Sequence, residues 1–357
     1  MLNFTVGPVM SDEDVLEISG QSSPYFRTSE FSEIMLENEA LMLKDLKAPE
    51  GARCVFLTTS GTGAMESIVM NVLNEHDKVL VVNGGSFGER FVELCRLHQR
   101  NMTEIRIEFG HQIHRDQLDR YAGQGYTALL INMHETSSGL LYDIPLISRF
   151  CKENGIMLLV DAISAFLSDE LDMKSWGISA VITGSQKALA VHPGVAVVAL
   201  APEAIKRIEE NPEVCMYLSL KGALKNQERG QTPFTPAVTT LLQINKRLKE
   251  IEKRGGVNAE HDRIAKVATG FRRGIADLPL DNIAESYSNA VTALKPRNGK
   301  VKEIIRLLKD EYQMWVCPNG GEMSDVIFRV GHIGHITEED NQQLIDALHD
   351  LKKRGVL

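Results

Sequence analysis

The sequence lacks the features that mark several large classes of protein. No stretch approaches the roughly 18 consecutive apolar residues of a membrane span, and the N-terminus, MLNFTVGPVM, has neither the basic region nor the apolar core of a signal peptide. A basic excess is also missing, because the net charge is −9, so binding to nucleic acid is not expected. We therefore predict a cytoplasmic protein that contacts neither membranes nor nucleic acid.

The chain also lacks the patterns of a disulfide framework or a metal centre. Its five cysteines are odd in number and widely spaced, with no CxxC pair: Cys54, Cys95, Cys151, Cys215 and Cys317. That usage indicates a reducing compartment. The ten histidines form no HxxxH or HExxH pair, so no metal site is predicted.

What the sequence does contain is an alternation of short apolar runs with helical patterns. Its 357 residues suggest one large domain and a smaller one. The patterns predict strands at residues 54–58, 78–82, 103–107, 128–133, 156–161, 180–183 and 195–200, with helices at 62–73, 88–98, 114–121 and 144–154. Apolar strands separated by helices predict an α/β fold with a mostly parallel sheet buried on both faces.

The pattern changes after Pro202. Long helical stretches rich in Lys, Arg and Glu lead into short strands mixed with helices. We interpret residues 255–357 as a small C-terminal α+β domain that begins at the Gly255-Gly256 break. Residues 1–254 then form the large domain.

A glycine-rich loop, Thr59-Ser60-Gly61-Thr62-Gly63-Ala64, directly follows a predicted strand and opens a predicted helix. Backbone N–H groups at a helix N-terminus suit a phosphate, and the hydroxyls of Ser60 and Thr62 add donors. The loop is not a Walker A motif, because GxxxxGK[ST] is absent. An ordinary N-capped helix remains the alternative interpretation.

Two charged residues follow apolar strands. Asp161 ends the strand at 156–161, where α/β sheets place ligands, and a buried carboxylate there could hold a pyridinium proton or could cap a turn. Lys187 comes in Gly184-Ser185-Gln186-Lys187, before the apolar residues 188–191. Partial desolvation would lower its pKa and make it a nucleophile toward an aldehyde, whereas a solvated loop lysine is the alternative.

Arg329 lies inside the apolar strand Ile327-Phe328-Arg329-Val330-Gly331. A buried arginine needs a partner. A substrate carboxylate, bound by both arms of the guanidinium, and an internal Asp or Glu are equally open at this point. The order of phosphate loop, acid, lysine and arginine is what an aminotransferase that uses pyridoxal 5′-phosphate (PLP) requires.

The chain resembles the class V branch of the fold-type I PLP enzymes over nearly its whole length. Within that branch it looks most like the 2-aminoethylphosphonate–pyruvate and alanine–glyoxylate/serine–pyruvate aminotransferases. The resemblance rests on Thr5-Val-Gly-Pro8, Ser60-Gly-Thr-Gly63, His134-Glu-Thr-Ser-Ser-Gly139, Val160-Asp-Ala162, Ser185-Gln-Lys187 and Phe328-Arg-Val-Gly331. It implies a seven-stranded sheet in the large domain, and a small amino acid or aminophosphonate and a 2-oxo acid, such as pyruvate or glyoxylate, as substrates.

The resemblance also implies a role for individual residues. Lys187 would hold the cofactor as a Schiff base and then move the substrate proton, and Asp161 would keep the pyridine nitrogen protonated. Arg329 would bind the substrate carboxylate, with Gly7-Pro8 of the N-terminal segment 1–25 closing over it. The remaining cofactor contacts would be Ser60, Gly61, Thr62 and Gln186 at the phosphate, Phe87 and Ile163 on the two faces of the ring, Thr136 near the ring hydroxyl, and Thr235 reaching the phosphate of a neighbouring subunit in a homodimer with shared active sites.

Three points remain open. Phe87 could be plain core, and Arg27, in Ser22-Ser-Pro-Tyr-Phe-Arg27, is a second candidate for an anion contact or a solvated loop residue. The lyase-type alternative is a cysteine desulfurase or selenocysteine lyase with Cys317 as nucleophile, although Gln186 stands where desulfurases usually place a His. A PLP-fold binding module without catalysis is the third interpretation, and the intact lysine, acid and phosphate loop argue against it.

Overall fold

The computed structural model describes residues 1–357 as fourteen strands, thirteen α-helices and one 3₁₀ turn at Gly321–Met323. In chain order the elements are β1 Leu2–Phe4, α1 Glu13–Ser19, α2 Ser29–Asp45, β2 Arg53–Leu57, α3 Gly61–Asn71, β3 Lys78–Asn83, α4 Ser86–Leu97, β4 Asn101–Arg106, α5 Arg115–Asp119, β5 Ala128–Asn132, β6 His134–Glu135, β7 Leu140–Leu141, α6 Ile144–Asn154, β8 Met157–Asp161, α7 Met173–Trp176, β9 Ile178–Gly184, β10 Ala196–Leu200, α8 Pro202–Glu210, α9 Leu220–Gln227, α10 Val238–Lys253, α11 Gly256–Gly274, β11 Leu280–Asn282, β12 Val291–Pro296, α12 Val301–Asp310, β13 Met314–Pro318, β14 Phe328–Gly331 and α13 Glu338–Lys353. No helix is both long and apolar enough to cross a membrane.

Most of the predicted site residues lie at or just after the ends of strands in a seven-stranded sheet. Its strand order is β2-β10-β9-β8-β5-β3-β4. Strands β4, β3, β5, β8 and β9 run parallel, whereas β10 is antiparallel to both β9 and β2. The prediction of an α/β fold with a mostly parallel seven-stranded sheet is confirmed. Because the parallel strands share one carboxyl edge, the ends of β3, β5, β8 and β9 lie side by side there.

Alternating residues of this sheet face two separate apolar clusters, one on each side. Leu80 and Val82 of β3 belong to one cluster, while Val79 and Val81 belong to the other. Helices α3 and α4 pack on the side that holds Val79 and Val81. Burial on both faces explains why these strands are continuously apolar in sequence.

A second sheet has five strands in the order β1-β13-β14-β12-β11. Its residues share a third apolar cluster with α11, α12 and α13, in which Phe4, Phe271 and Phe328 are fully buried. The strand β1 comes from the other end of the chain and runs parallel to β13. The division of the chain at residue 255 stays a prediction; Gly255, with φ 113°, joins α10 to α11 there.

Candidate active site

The carboxyl edge of the seven-stranded sheet gathers the predicted site residues. Asp161 is the last residue of β8, and Lys187 follows β9 by three residues. Gly61 opens α3 after β2, and Phe87 lies in the first turn of α4 after β3. Arg329 reaches the same place from β14 of the second sheet, because it donates to the backbone of Thr136 beside β6.

Lys187 is buried, with 8% of its surface exposed. Its Nζ donates to the Val6 carbonyl oxygen at 2.5 Å. Burial, first, and the charge of Arg329, second, lower the pKa of Lys187 to about 8, and Cys317 and Asp161 act in the opposite direction. The amine is therefore more often neutral near physiological pH than a surface lysine, as a nucleophile toward an aldehyde needs to be.

Asp161 is buried, and its Oδ1 accepts a hydrogen bond from Ile163 N at 2.8 Å. Its Oδ2 accepts none from the protein. Burial raises the pKa of Asp161 to about 6, while the Ile163 bond and the positive charge of Arg90 lower it. A buried carboxylate with one unused oxygen suits a cationic N–H partner, such as the protonated nitrogen of a pyridine ring.

The glycine-rich loop forms the N-terminus of α3, with Ser60 as an exposed N-cap whose side chain makes no capping bond. A Cβ on Gly61 would overlap the end of the Ile163 side chain, so a larger residue here would require Ile163 to move. The Thr62 hydroxyl accepts a hydrogen bond from Arg90 Nη1 at 3.0 Å. The first-turn N–H groups of a helix have no intrahelical partner, and this loop can offer them to a phosphate.

Glu135 is the residue that sequence reasoning missed. Its carboxylate is fully buried and accepts hydrogen bonds from Gly88 N at 3.1 Å, Phe87 N at 3.4 Å and Asn132 Nδ2 at 2.9 Å. Both the backbone N and the hydroxyl of Ser137 also donate to it. Glu135 thus occupies the N-terminus of α4, where an anion is stabilised, and fixes the backbone of Phe87. A glutamate two residues after the predicted apolar strand at 128–133 was the available signal.

Arg329 has no carboxylate partner, which removes one of its two sequence-based interpretations. Its Nη1 donates to the Thr136 carbonyl oxygen at 3.1 Å, and its Nη2 donates to the Pro318 carbonyl oxygen at 2.8 Å and to Cys317 Sγ at 3.2 Å. Its Nε has no hydrogen-bond partner, even though Arg329 is buried, with only 8% of its surface exposed. A buried guanidinium without a counter-ion suits an anionic ligand.

Thr136 and Ile163 also lie at this edge. The Thr136 hydroxyl donates to Ser164 Oγ at 2.9 Å, and Ile163 is buried between Gly61 and Asp161. His134 is buried as well; burial and the charge of Lys187 lower its pKa to about 3, so its imidazole is neutral. Gln186 is half-buried next to Lys187.

Other predicted residues lie at the periphery. The Pro8 carbonyl oxygen accepts hydrogen bonds from Asn3 Nδ2 at 2.9 Å and Thr5 Oγ1 at 3.2 Å, which hold the N-terminal segment beside Lys187. Thr235 is exposed. Arg27 donates to Gln231 Oε1 and to the carbonyl oxygens of Thr232 and Pro233, so it is held against the loop before Thr235 and not against the residues beside Lys187.

The structure holds no cluster of His, Cys, Asp and Glu that could bind a metal ion. Cys317 lies within strand β13, with Sγ 3.2 Å from Arg329 Nη2, whereas the desulfurase interpretation requires a cysteine on a loop. A buried lysine, a buried acid at a strand end, a helix N-terminus and an unpaired arginine at one edge of an α/β sheet are the arrangement expected of a fold-type I PLP enzyme.

Comparison with known proteins agrees. The profile of the family described as "Aminotransferase class-V" matches residues 17–324. An uncharacterized aminotransferase of Helicobacter pylori (strain ATCC 700392 / 26695) is 31% identical over 98% of this chain and 93% of its own length. The L-aspartate–glyoxylate aminotransferase of Paracoccus denitrificans is 26% identical over 94% of this chain and 87% of its own length. The crystal structure of an aspartate aminotransferase from Thermus thermophilus covers 100% of both chains with a TM-score of 0.91 and 26% identity. This chain belongs to the class-V aminotransferase family, and it is a transaminase of the PLP-dependent kind. The family predicted from sequence is confirmed.

Proposed function

We propose that this enzyme transfers the amino group of a small amino acid with one carboxylate, such as alanine or serine, to a small 2-oxo acid such as glyoxylate or pyruvate. The observation that carries the proposal is Arg329, a buried guanidinium without a carboxylate partner at the same sheet edge as Lys187. A guanidinium binds a carboxylate through two parallel hydrogen bonds.

The residues at this edge fit PLP. When bound, PLP supplies an aldehyde that takes up an amino group and a protonated ring that withdraws electrons. Lys187 would bond the aldehyde carbon, and Asp161 would hold the proton on the ring nitrogen through its unused oxygen. Ser60, Gly61 and Thr62, at the N-terminus of α3, would hold the phosphate together with Gln186.

Phe87 and Ile163 would hold the two faces of the ring, and Thr136 would bind its hydroxyl. Glu135 supports this arrangement, because it fixes the backbone at Phe87. Ile163 lies close to both Gly61 and Asp161, so the phosphate site and the ring-nitrogen site are held at a set distance from each other.

Lys187 is also suited to move a proton. Its pKa of about 8 means that both its neutral and its charged form are accessible near neutral pH. Its neutral amine could take a proton from the Cα of a bound amino acid, and its charged form could return one. The Val6 carbonyl oxygen, 2.5 Å from Nζ, would then orient the amine. The segment Val6–Pro8 would also keep water away from Lys187.

The available charges favour a donor with one carboxylate. A dicarboxylate or a phosphonate would need a second cation beside Arg329. Arg27, the second candidate, is held against the loop at residues 231–233, and none of its hydrogen bonds goes to a residue that contacts Arg329. Alanine and serine therefore fit better than aspartate or 2-aminoethylphosphonate.

We also propose a homodimer with shared active sites. Thr235 is exposed and lies next to a stack of Tyr217 on Phe234, whose ring centroids are 5.4 Å apart. The segment that ends at Tyr217 also exposes apolar side chains: between 54% and 78% of the surface is exposed in Val214, Met216 and Tyr217. An exposed apolar patch of this kind is typical of a protein interface, and it would place Thr235 against a second subunit.

The test is a panel of half-reactions on the purified PLP-loaded protein. Alanine, serine, aspartate and 2-aminoethylphosphonate are each added, and conversion of the visible cofactor band to the pyridoxamine form is followed. The expected result is rapid conversion with alanine or serine and slow conversion with the other two. Lys187→Ala is the control for the covalent cofactor, and Arg27→Gln is a control for the second-cation argument. Fastest conversion with aspartate would refute the single-carboxylate assignment, and no conversion with any donor would refute transamination of small amino acids.

A further inference from the structure

Arg90 is a charged residue in the site to which the sequence and the comparisons give no role. It lies in the second turn of α4, three residues after Phe87, so both side chains project from the same side of the helix. Its Cζ is 4.9 Å from the centroid of the Phe87 ring. Its Nη1 donates to Thr62 Oγ1 at 3.0 Å, in the first turn of α3. Arg90 therefore joins the expected ring-stacking residue to the expected phosphate loop.

The charge of Arg90 is not neutralised by a neighbouring carboxylate. Arg96 and Arg106, close to it in the chain, form salt bridges with Glu89 and Glu104. Arg90 forms none, although it is half-buried. An arginine that is partly desolvated and unpaired keeps most of its electrostatic effect on the groups around it.

The hydrogen bond to Thr62 has a directional consequence. A threonine hydroxyl has one donor hydrogen and two acceptor lone pairs. Since Arg90 uses a lone pair of Thr62 Oγ1, the hydroxyl hydrogen remains available for another acceptor. A phosphate oxygen at the N-terminus of α3 would be such an acceptor.

We propose that Arg90 is a positioning residue for the cofactor, and this inference rests on the proposed function. Arg90 holds the Phe87 ring by a cation–π contact and orients the Thr62 hydroxyl toward the phosphate. It also adds a positive charge to a phosphate site whose expected contacts (Ser60, Gly61, Thr62, Gln186 and Thr235) are all uncharged.

The field of Arg90 gives the inference a spectroscopic readout. The charged and titratable groups around Lys187 are Arg90, Asp161, Cys317, Arg329 and the neutral His134. Among them Arg90 and Arg329 lower the pKa of Lys187. Removal of the Arg90 charge should therefore raise the pH at which the visible band of the Lys187-bound cofactor titrates.

The experiment compares Arg90→Met, Arg90→Lys and Arg96→Met in the full chain. Arg96 lies on the same helix with 57% of its side chain exposed, so Arg96→Met is the matched control. The dissociation constant of PLP is measured by titration of the apoenzyme, and the visible band of each holoenzyme is titrated with pH. Arg90→Met should bind PLP about 10- to 100-fold more weakly, the range for the loss of a charge-assisted hydrogen bond. Its band midpoint should rise.

Arg90→Lys should keep the wild-type midpoint and recover part of the affinity, because an ammonium keeps the charge without the planar fork. Equal loss of affinity in both Arg90 variants with unchanged midpoints would indicate a merely structural role and overturn the inference. Wild-type affinity and midpoint in Arg90→Met would also overturn it while leaving the proposed function intact. A wild-type protein without any visible cofactor band would overturn both.

Discussion

Replacement of Glu135 by Gln tests how the site is built. The change keeps the size of the side chain and turns one carboxylate oxygen into an amide that donates hydrogen bonds. Oε2 accepts from Gly88 N and Asn132 Nδ2, and Oε1 accepts from Phe87 N and from both donors of Ser137. Whichever oxygen is replaced, at least two buried donors then face another donor.

The magnitude follows from those lost bonds. A hydrogen bond to a charged acceptor contributes about 1.5–3 kcal/mol, so two of them give a loss of about 3 kcal/mol or more in the free energy of unfolding. With an unfolding entropy of about 2.1 cal/mol/K per residue over the 357 residues, the melting temperature should fall by about 4 °C. The affinity for PLP should fall by about tenfold, because the backbone at Phe87 loses its anchor.

The assay is thermal unfolding of the apoenzyme together with titration by PLP. Glu93→Gln is the control, since Glu93 is exposed on the same helix, α4. If Glu135→Gln melts at the temperature of Glu93→Gln and binds PLP equally well, the role assigned to Glu135 is refuted.

Three further predictions concern the substrate carboxylate, the N-terminal segment beside Lys187, and the pH dependence of PLP binding. Arg329→Gln should lower kcat/KM for alanine by about 100-fold, because the bidentate contact with the substrate carboxylate is lost. Its effect on ethylamine, which has no carboxylate, should be small. An equal loss of kcat/KM for alanine and ethylamine would contradict the assignment of Arg329 to the carboxylate. Gly7→Ala should slow transamination, because the new Cβ would lie 2.9 Å from Lys187 Cδ at a φ of 121°. Gly123→Ala is the control for an alanine at positive φ, since Gly123 has φ 67° and no atom within 4 Å of the new Cβ. Equal transamination rates in the two variants would contradict a clash with Lys187. The rate at which apoenzyme binds PLP covalently should rise with pH up to about 8 and then level off, since the lowered pKa of Lys187 makes its amine neutral above that pH; a rise that continues toward the ordinary lysine pKa would contradict it.

Much of the large sheet could be predicted because its strands are apolar on both faces. The direction of β10 could not be predicted, since a continuously apolar run does not distinguish a parallel from an antiparallel strand. Helix α2 was not predicted either. Its buried face includes Asn38, Glu39 and Asp45, so the apolar periodicity that signals a helix is weak there. Their partners, such as Leu241 and Arg53, lie on other elements.

The charged residues of the candidate site could be proposed from their positions after strands. What the sequence did not contain was their surroundings. These surroundings depend on contacts between residues far apart in the chain. Examples are the lack of a carboxylate beside Arg329, the hydrogen bond from Lys187 to Val6, and the hydrogen bond from Arg27 to the loop before Thr235. For the same reason Glu135 had no role until α4 was seen to begin against it.

The pairing of β1 with β13 has a consequence for the order in which the protein can mature. Leu2, Asn3 and Phe4 pair with Met314, Trp315 and Val316, although residues 2–4 leave the ribosome long before residues 314–316. Val6, two residues after the end of β1, accepts the hydrogen bond from Lys187. During synthesis the seven-stranded sheet can form while this segment is still unpaired, because domains generally fold as units from the N-terminal side. The segment that covers Lys187 therefore cannot be fixed through β1 until residues 314–316 have been made, although the large sheet can already have formed by then.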